Sequence, residues 1–145
     1  MNLSGLLALT NRIPVYRELL TALESSDGDR PPPLRLLSAA RSYLLAALHA
    51  DLGRPLVAVV ARTDRARQVF EQLRDWSATP ERVLLFPEPD ALPYERIPWS
   101  RDTIRRRITT LAALSSPPPP LIVTAARALM QPTFPPRELN LGTRT

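Results

Sequence analysis

Three acidic side chains, Glu88, Asp90 and Glu95, lie within one short stretch and are the first candidates for chemistry. Two carboxylates held close together can act as general acid and general base. Arg96 and Arg101 follow directly, however, and offer these acids ion-pair partners. We therefore expect no catalytic residue in this segment.

The same stretch combines stiffness with exposed aromatic side chains. Each of its prolines, Pro87, Pro89, Pro93 and Pro98, fixes its own φ and holds the preceding residue extended. A stiff loop that closes a sheet edge is one interpretation, and a surface for partners is the other. For the arginines of the following helix, a solvated face is likewise an alternative to phosphate or protein contact. The candidate interaction residues are Tyr94, Glu95, Arg96, Trp99, Arg101, Arg105 and Arg106.

The composition excludes several kinds of site. All nineteen basic residues are arginine, so a lysine Schiff base and the lysine of a Walker A loop are excluded. Without cysteine there is no disulfide or thiolate metal site. His49 cannot build a metal site alone, and we expect a structural role for it near a helix end, where a cation complements the dipole. The net charge of +5 is spread along the chain and argues only weakly for nucleic acid.

A phosphate-binding loop would follow the first expected strand, at Ser38, Ala39, Ala40, Arg41 and Ser42. This turn has neither the glycine that lets backbone approach a phosphate nor a lysine. We also find no apolar strand that ends in paired acids. We predict a degenerate phosphate-loop position without a cofactor, where Arg41 either contacts an anion or stays solvated.

The apolar patterning predicts alternating strands and helices. A helical segment over 6–23 carries Pro14 in a first turn. A helix over 39–52 ends at Gly53. Another begins at an N-cap Thr63, carries an apolar stripe of Ala66, Val69, Phe70, Leu73 and Trp76, and allows a modest surface pair of Arg67 with Glu71. A third spans 101–115, with Ile104, Ile108, Leu111 and Ala112 facing the core and Arg106 pointing outward, flanked by Arg105 and Arg107. Expected strands lie at 34–37, 55–61, 82–86 and 121–124, and a short helical turn at 125–130. The run 55–61 is continuously apolar, which is typical of a strand buried on both faces.

This alternation predicts an α/β fold with three layers, in which helices flank a mostly parallel sheet. The proline tracts Pro31–Pro33 and Pro117–Pro120 are interpreted as spacers. We predict an N-terminal helical segment over 1–30, an α/β domain over 31–138, and the truncated start of another domain over 139–145. No signal peptide or membrane span is visible, so we expect a cytoplasmic protein without membrane partners.

Three blocks carry a family resemblance. They are Leu85-Phe86-Pro87-Glu88-Pro89-Asp90-Ala91-Leu92-Pro93-Tyr94-Glu95-Arg96, the pattern Asp102-Thr103-Ile104, Arg107-Ile108 and Leu111, and the block from Leu121 to Gln131. In order and spacing the chain resembles the N-terminal part of bacterial transcription-repair coupling factors.

The resemblance implies the first half of a module similar to UvrB, a degenerate helicase or RecA-like domain that has lost its phosphate loop. It further implies a non-catalytic scaffold within an ATP-dependent DNA translocase that releases stalled RNA polymerase and recruits nucleotide excision repair. ATP and Mg would belong to motor domains outside this segment. The implied partners are the remaining domains of the parent chain, UvrA and RNA polymerase, with DNA also possible.

Residues Leu139 to Gly142 resemble the entry to the family domain that contacts UvrA. The alternative function is a stand-alone protein- or DNA-interaction module of the same fold. In its DNA-binding form this module would work through Arg101, Arg105 and Arg106.

Overall fold

The structure is a computed structural model that describes residues 2–25, 33–90 and 98–133. Its helices are a 3-10 helix at Ser4–Arg12, α1 at Pro14–Glu24, α2 at Ala40–Leu52, α3 at Thr63–Trp76, a 3-10 turn at Pro80–Arg82, α4 at Arg101–Ala113 and α5 at Ala126–Leu129. Its strands are β1 at Leu56–Val60, β2 at Val83–Phe86 and β3 at Leu121–Ala125.

The three strands form one parallel sheet in the order β1-β3-β2. In the register, Ala58 of β1 lies beside Val123 of β3, which in turn lies beside Leu85 of β2. Every residue of the central strand β3 is buried. The α/β class with a parallel sheet flanked by helices is therefore confirmed.

One face of the sheet carries the main core. Val83, Leu121 and Val123 point toward α3, whose Leu73 is fully buried against them. The stripe predicted on α3 is confirmed, because Ala66 and Val69 are also buried and Phe70 and Trp76 pack at the edge. Helix α2 packs against α3 and adds Ala46, Ala47 and Leu48 to this core. Gly53 ends α2 with φ 58°, a left-handed conformation that glycine adopts without a Cβ penalty.

The other face of the sheet is only partly covered. Phe86 and Ile122 are buried there under α4 and α5, but Val57 and Val59 of β1 remain 49% and 51% exposed. The prediction that this strand is buried on both faces was wrong. The reason is its position, since β1 is an edge strand and α4 packs over β2 at the opposite edge.

The strand predicted at 34–37 was also wrong. These residues take no regular secondary structure, and Leu34, Leu36 and Leu37 are all exposed, Leu37 by 81%. A short apolar run becomes a strand only when a neighbouring strand completes its hydrogen bonds. Among the described residues, none pairs with this run.

The N-terminal helices pack on the main core. Leu7 and Tyr16 belong to it, and the Tyr16 hydroxyl donates to the Asp51 carboxylate at 2.6 Å. Burial first, and then this hydrogen bond, raise the pKa of Tyr16. Pro14 occupies the first turn of α1 as expected.

At the start of α3, Thr63 is not the N-cap that its residue type suggested. Arg62 takes the cap position, and no side chain caps the helix. Instead, Arg62 pairs with Asp64 at 2.9 Å, and this interaction lowers the pKa of Asp64. Later in the helix, Glu71 pairs with Arg74 rather than with Arg67 as expected.

Helix α4 occupies the expected place but presents a different face to the core. Its buried residues are Thr103, Arg107, Thr110 and Ala113, whereas Ile104 and Ile108 are 38% and 40% exposed. Arg107 was expected beside the outward-pointing Arg106 and is 4% exposed. The prediction is confirmed for Leu111, which packs against the buried Phe86 and Ile122. It was wrong for Ile104 and Ile108, because polar and charged residues of this helix face inward and make hydrogen bonds there.

Candidate functional site

A cleft of about 480 Å³ opens at the carboxyl ends of the strands, between the first turns of α3 and α4. In parallel α/β folds this edge of the sheet is where ligands bind. Its charged lining residues are Arg67, Glu71, Glu88, Asp90, Asp102 and Arg106.

Two of the four acids of the cleft, Asp90 and Asp102, are engaged in local structure. Both oxygens of Asp90 accept the backbone N–H of Ser100, at 3.1 and 3.2 Å. Hydrogen bonds from the side chain and then the backbone of Ser100 hold the pKa of Asp90 below its ordinary value. Asp102 accepts from Arg105 at 2.9 Å and from Arg106 at 2.6 Å, and these bonds lower the pKa of Asp102 in that order. Both carboxylates are held ionised, so neither is suited to donate a proton near neutral pH.

The predicted phosphate-loop position lies elsewhere on the surface. Ser38 and Ala39 form a turn that leads into α2, and the described residues 33–37 before them form no strand. Ser42 is buried and donates to the side chain of Gln72 at 2.8 Å, while Arg41 is exposed. A phosphate cradle needs a strand-to-helix loop whose backbone amides converge, and this turn is not of that type.

The most constrained side chain near the cleft is Arg107. Its Nη1 donates to the carbonyl oxygens of Pro87 at 2.8 Å and Ala128 at 3.4 Å, and its Nη2 has no hydrogen-bond partner in the described part of the chain. Its guanidinium carbon lies 4.1 Å from the Phe86 ring centroid and 5.3 Å from that of Trp99. Burial lowers the pKa of Arg107, but an arginine stays protonated.

Arg107 therefore joins three segments that are distant in sequence. It ties α4 to the chain leaving β2, through Pro87, and to α5, through Ala128. Two aromatic rings shield its charge, as in a cation–π arrangement. Sequence analysis missed this role, although a polar row at helical spacing, Thr103, Arg107 and Thr110, marked the inner side of α4.

The structure places the other predicted interaction residues in different environments. Trp99 is half-buried against Arg107, and Arg101 opens α4 as an exposed residue. Arg105 and Arg106 are committed to Asp102. Tyr94, Glu95 and Arg96 lie outside the described residues.

His49 is buried, and its Nε2 lies 3.0 Å from the carbonyl oxygen of Pro119. Burial lowers the pKa of His49 despite that contact, and the charge of Arg82 adds to the effect. The side chain is therefore a neutral anchor of the loop before β3, rather than the cation expected at a helix end.

Two further kinds of site are absent from the described ranges 2–25, 33–90 and 98–133. No group of three or more histidine and carboxylate side chains there is arranged to hold a metal ion. No helix among these residues has the length and apolar character needed to cross a membrane.

Comparison with known proteins supports the family resemblance at low identity. No family model matches the chain. Transcription-repair-coupling factors of Mycobacterium bovis and Mycobacterium tuberculosis are each 31% identical to it over 140 residues, which cover 92% of this chain and 11% of each relative. The chain thus spans about one ninth of the length of these curated relatives. It is distantly similar to coupling factors over nearly all of its own sequence.

Proposed function

We propose that this chain is a non-catalytic α/β module of a transcription-repair coupling factor. The observation that carries the proposal is the similarity over 92% of the chain to two proteins of that name. The parallel sheet flanked by helices supports it, since this is the architecture that the family resemblance implies.

The residues present at the two candidate sites support its non-catalytic character. The turn Ser38–Ser42 lacks glycine and lysine and does not follow a strand. In the cleft at the strand ends, Asp90 accepts the backbone N–H of Ser100, the N-cap residue of α4, and Asp102 pairs with two arginines. These residues stabilise the fold and are not arranged to bind a nucleotide or transfer a proton.

Within a complete coupling factor, the module would act as a scaffold. The parent protein would be an ATP-dependent DNA translocase that releases stalled RNA polymerase and recruits excision repair through UvrA. ATP and Mg would be bound by its motor domains. The contact of Arg107 with Pro87, which fixes the chain leaving β2 to α4, would help to hold the neighbouring domains of the parent protein in a fixed arrangement.

A domain exchange tests the function. The matching part of the Mycobacterium tuberculosis coupling factor is replaced with this chain, and repair of the transcribed strand after ultraviolet damage is measured in cells that lack their own factor. We expect the chimera to restore strand-selective repair. The control chimera carries Leu73→Asp, which places a charge in the main core and should abolish repair. A chimera that accumulates normally but gives no strand-selective repair contradicts the proposal.

Nucleotide binding tests the non-catalytic part separately. Isothermal titration of the purified chain with Mg-ATP should give no heat of binding. ATP binding that is lost in Arg41→Ala would instead mean that the turn at Ser38–Ser42 is a working phosphate site.

A further inference from the structure

Two adjoining depressions on the α4 side of the sheet form one continuous apolar groove. The first, about 340 Å³, lies along Trp99, Ile104 and Ile108 of the α4 region. The second, about 220 Å³, lies against Val57, Leu114 and Leu129. Leu111 and Thr133 line both depressions, so the groove runs from the start of α4 to the exposed side of β1.

The groove presents apolar side chains that the other described residues leave at least partly uncovered. Ile104 and Ile108 are four residues apart on one side of α4, and Leu111 continues the same row. The inner side of this helix is already packed against the sheet. At the far end, Val57 and Val59 belong to a parallel sheet, whose strands are normally covered on both faces. An apolar groove of this kind is the type of surface on which amphipathic helices dock.

The charges at the groove are positive. Arg107 is the one charged residue that lines either depression among the described residues, and no carboxylate there neutralises it. Its guanidinium is buried, so it acts on the groove through its charge rather than through a free donor. Arg101 lies one turn before Ile104, is exposed, and has no ion-pair partner within the described ranges. The occupant should therefore carry acidic residues.

The shape of the groove selects a helix as the occupant. Its floor consists of side chains on one helix and on the face of the sheet, whereas an added strand would need the backbone groups of a free edge. An amphipathic helix instead places residues at positions i, i+3, i+4 and i+7 into such a groove.

We propose that this groove binds an acidic amphipathic helix of a partner protein, with its apolar side on Ile104, Ile108 and Leu111 and a carboxylate near Arg101 and Arg107. The inference rests on the geometry and charge of the groove and does not depend on the proposed function.

The test uses the full chain and two synthetic helical peptides of about four turns. Both peptides carry the same leucine stripe, and one has glutamate where the other has lysine beside it. Binding is followed by the methyl resonances of Ile104 and Ile108. Trp99 fluorescence provides a second readout in a Trp76→Phe background. We expect the glutamate peptide to bind and the lysine peptide to bind roughly tenfold more weakly or not at all.

Ile108→Asp should abolish binding of the glutamate peptide. Its matched control is Val15→Asp on α1, a position that is 61% exposed and lines neither depression, which should leave binding unchanged. Arg101→Glu tests the charge separately and should remove the preference for glutamate even if Ile108→Asp fails to fold.

Four outcomes would overturn the proposal. Equal binding of the two peptides would show that the groove has no preference for an acidic partner. Binding that survives Ile108→Asp would place the peptide site outside the groove. A chain that dimerises through the groove, with dimerisation lost in Ile108→Asp, would make the occupant a second copy. DNA that shifts the Ile104 and Ile108 resonances while neither peptide does would assign the surface to nucleic acid.

Discussion

At the scale of single residues, Arg107 holds a positive charge inside the protein between two aromatic rings. Its guanidinium donates to the carbonyl oxygens of Pro87 and Ala128 while its central carbon lies over the rings of Phe86 and Trp99, a combination suited to a planar, delocalised cation. Lysine has neither property. The contacts of this one side chain connect β2, α4 and α5.

Replacement of Arg107 by methionine should destabilise the protein by about 2 kcal/mol. The carbonyl oxygens of Pro87 and Ala128 would lose their donor, and the relief of a desolvated charge offsets part of that loss. Urea unfolding measures the effect. Arg105→Met, at an exposed position of the same helix, is the matched control and should change the free energy of unfolding by less than about 0.5 kcal/mol. Equal effects of the two substitutions would contradict the buried role of Arg107.

His49 should make stability depend on pH. Burial lowers the pKa of His49 in the folded protein below the ordinary 6.5, so the unfolded chain takes up a proton at a higher pH than the folded one. The stabilisation that the folded protein gains from neutral His49 is complete above about pH 6.5, and it is lost as the pH falls from 6.5 toward the folded-state pKa. Urea midpoints between pH 7.5 and about 5.5 should fall in the native chain.

His49→Gln is the control for this effect, since glutamine retains a polar side chain without a titrating group. The chain has a single histidine, so the slope in this window should largely disappear in the variant. An unchanged slope in His49→Gln would mean that another group is responsible.

At the scale of elements, both ends of α4 are stabilised by long-range contacts. At its start, the Ser100 hydroxyl accepts the N–H of Thr103 at 3.2 Å, while the N–H of Ser100 itself donates to Asp90. At its end, Arg82 donates to the carbonyl oxygens of Ala113 and Ser116. The helix is therefore fixed in direction by the segments before and after β2.

Loss of the N-cap should weaken α4 by a measurable amount. Ser100→Ala removes the acceptor for the Thr103 N–H, and we expect a loss of about 1 kcal/mol in the free energy of unfolding. Ser115→Ala, an exposed serine just beyond the helix, should have almost no effect. Thermal or urea unfolding of both variants measures the change in the free energy of unfolding. A Ser100→Ala protein as stable as the native one would show that this cap does not stabilise the helix.

At the scale of the whole molecule, the two faces of the sheet differ in how completely they are covered. The α3 face buries the main core, while the α4 face leaves the β1 side exposed. Because side chains alternate along a strand, each strand contributes residues to both faces. The apolar groove is the consequence of this one-sided packing.

A matched pair of substitutions tests that difference. Val123 is fully buried in the central strand, and Val57, which neighbours Ile122 in the register, is 49% exposed on the opposite face. Val123→Ala should cost about 2 kcal/mol, from lost burial and the cavity it leaves. Val57→Ala should change stability by less than about 0.5 kcal/mol. Similar losses at both positions would mean that the β1 side is covered in solution.

Much of the fold could be predicted from the sequence because its elements follow local rules. Pro14 in a first turn, Gly53 at a helix end and the stripe from Ala66 to Trp76 are set by backbone geometry and helical periodicity. The order of strands and helices then led to the α/β class. The same local rules suggested a strand at 34–37, where no pairing partner is present among the described strands.

The absence of lysine and cysteine, the missing glycine and lysine at Ser38–Ser42 and the order of the apolar runs are properties of the sequence alone, and they determined which chemistry is excluded and which class of fold results. The tertiary structure decided which side of α4 is inside, that Arg107 is buried and Ile104 exposed, and that β1 lies at an edge with one face uncovered. The physical reason is that burial depends on partners distant in sequence: the carbonyl oxygens of Pro87 and Ala128 and the rings of Phe86 and Trp99 meet Arg107 only after the chain has folded.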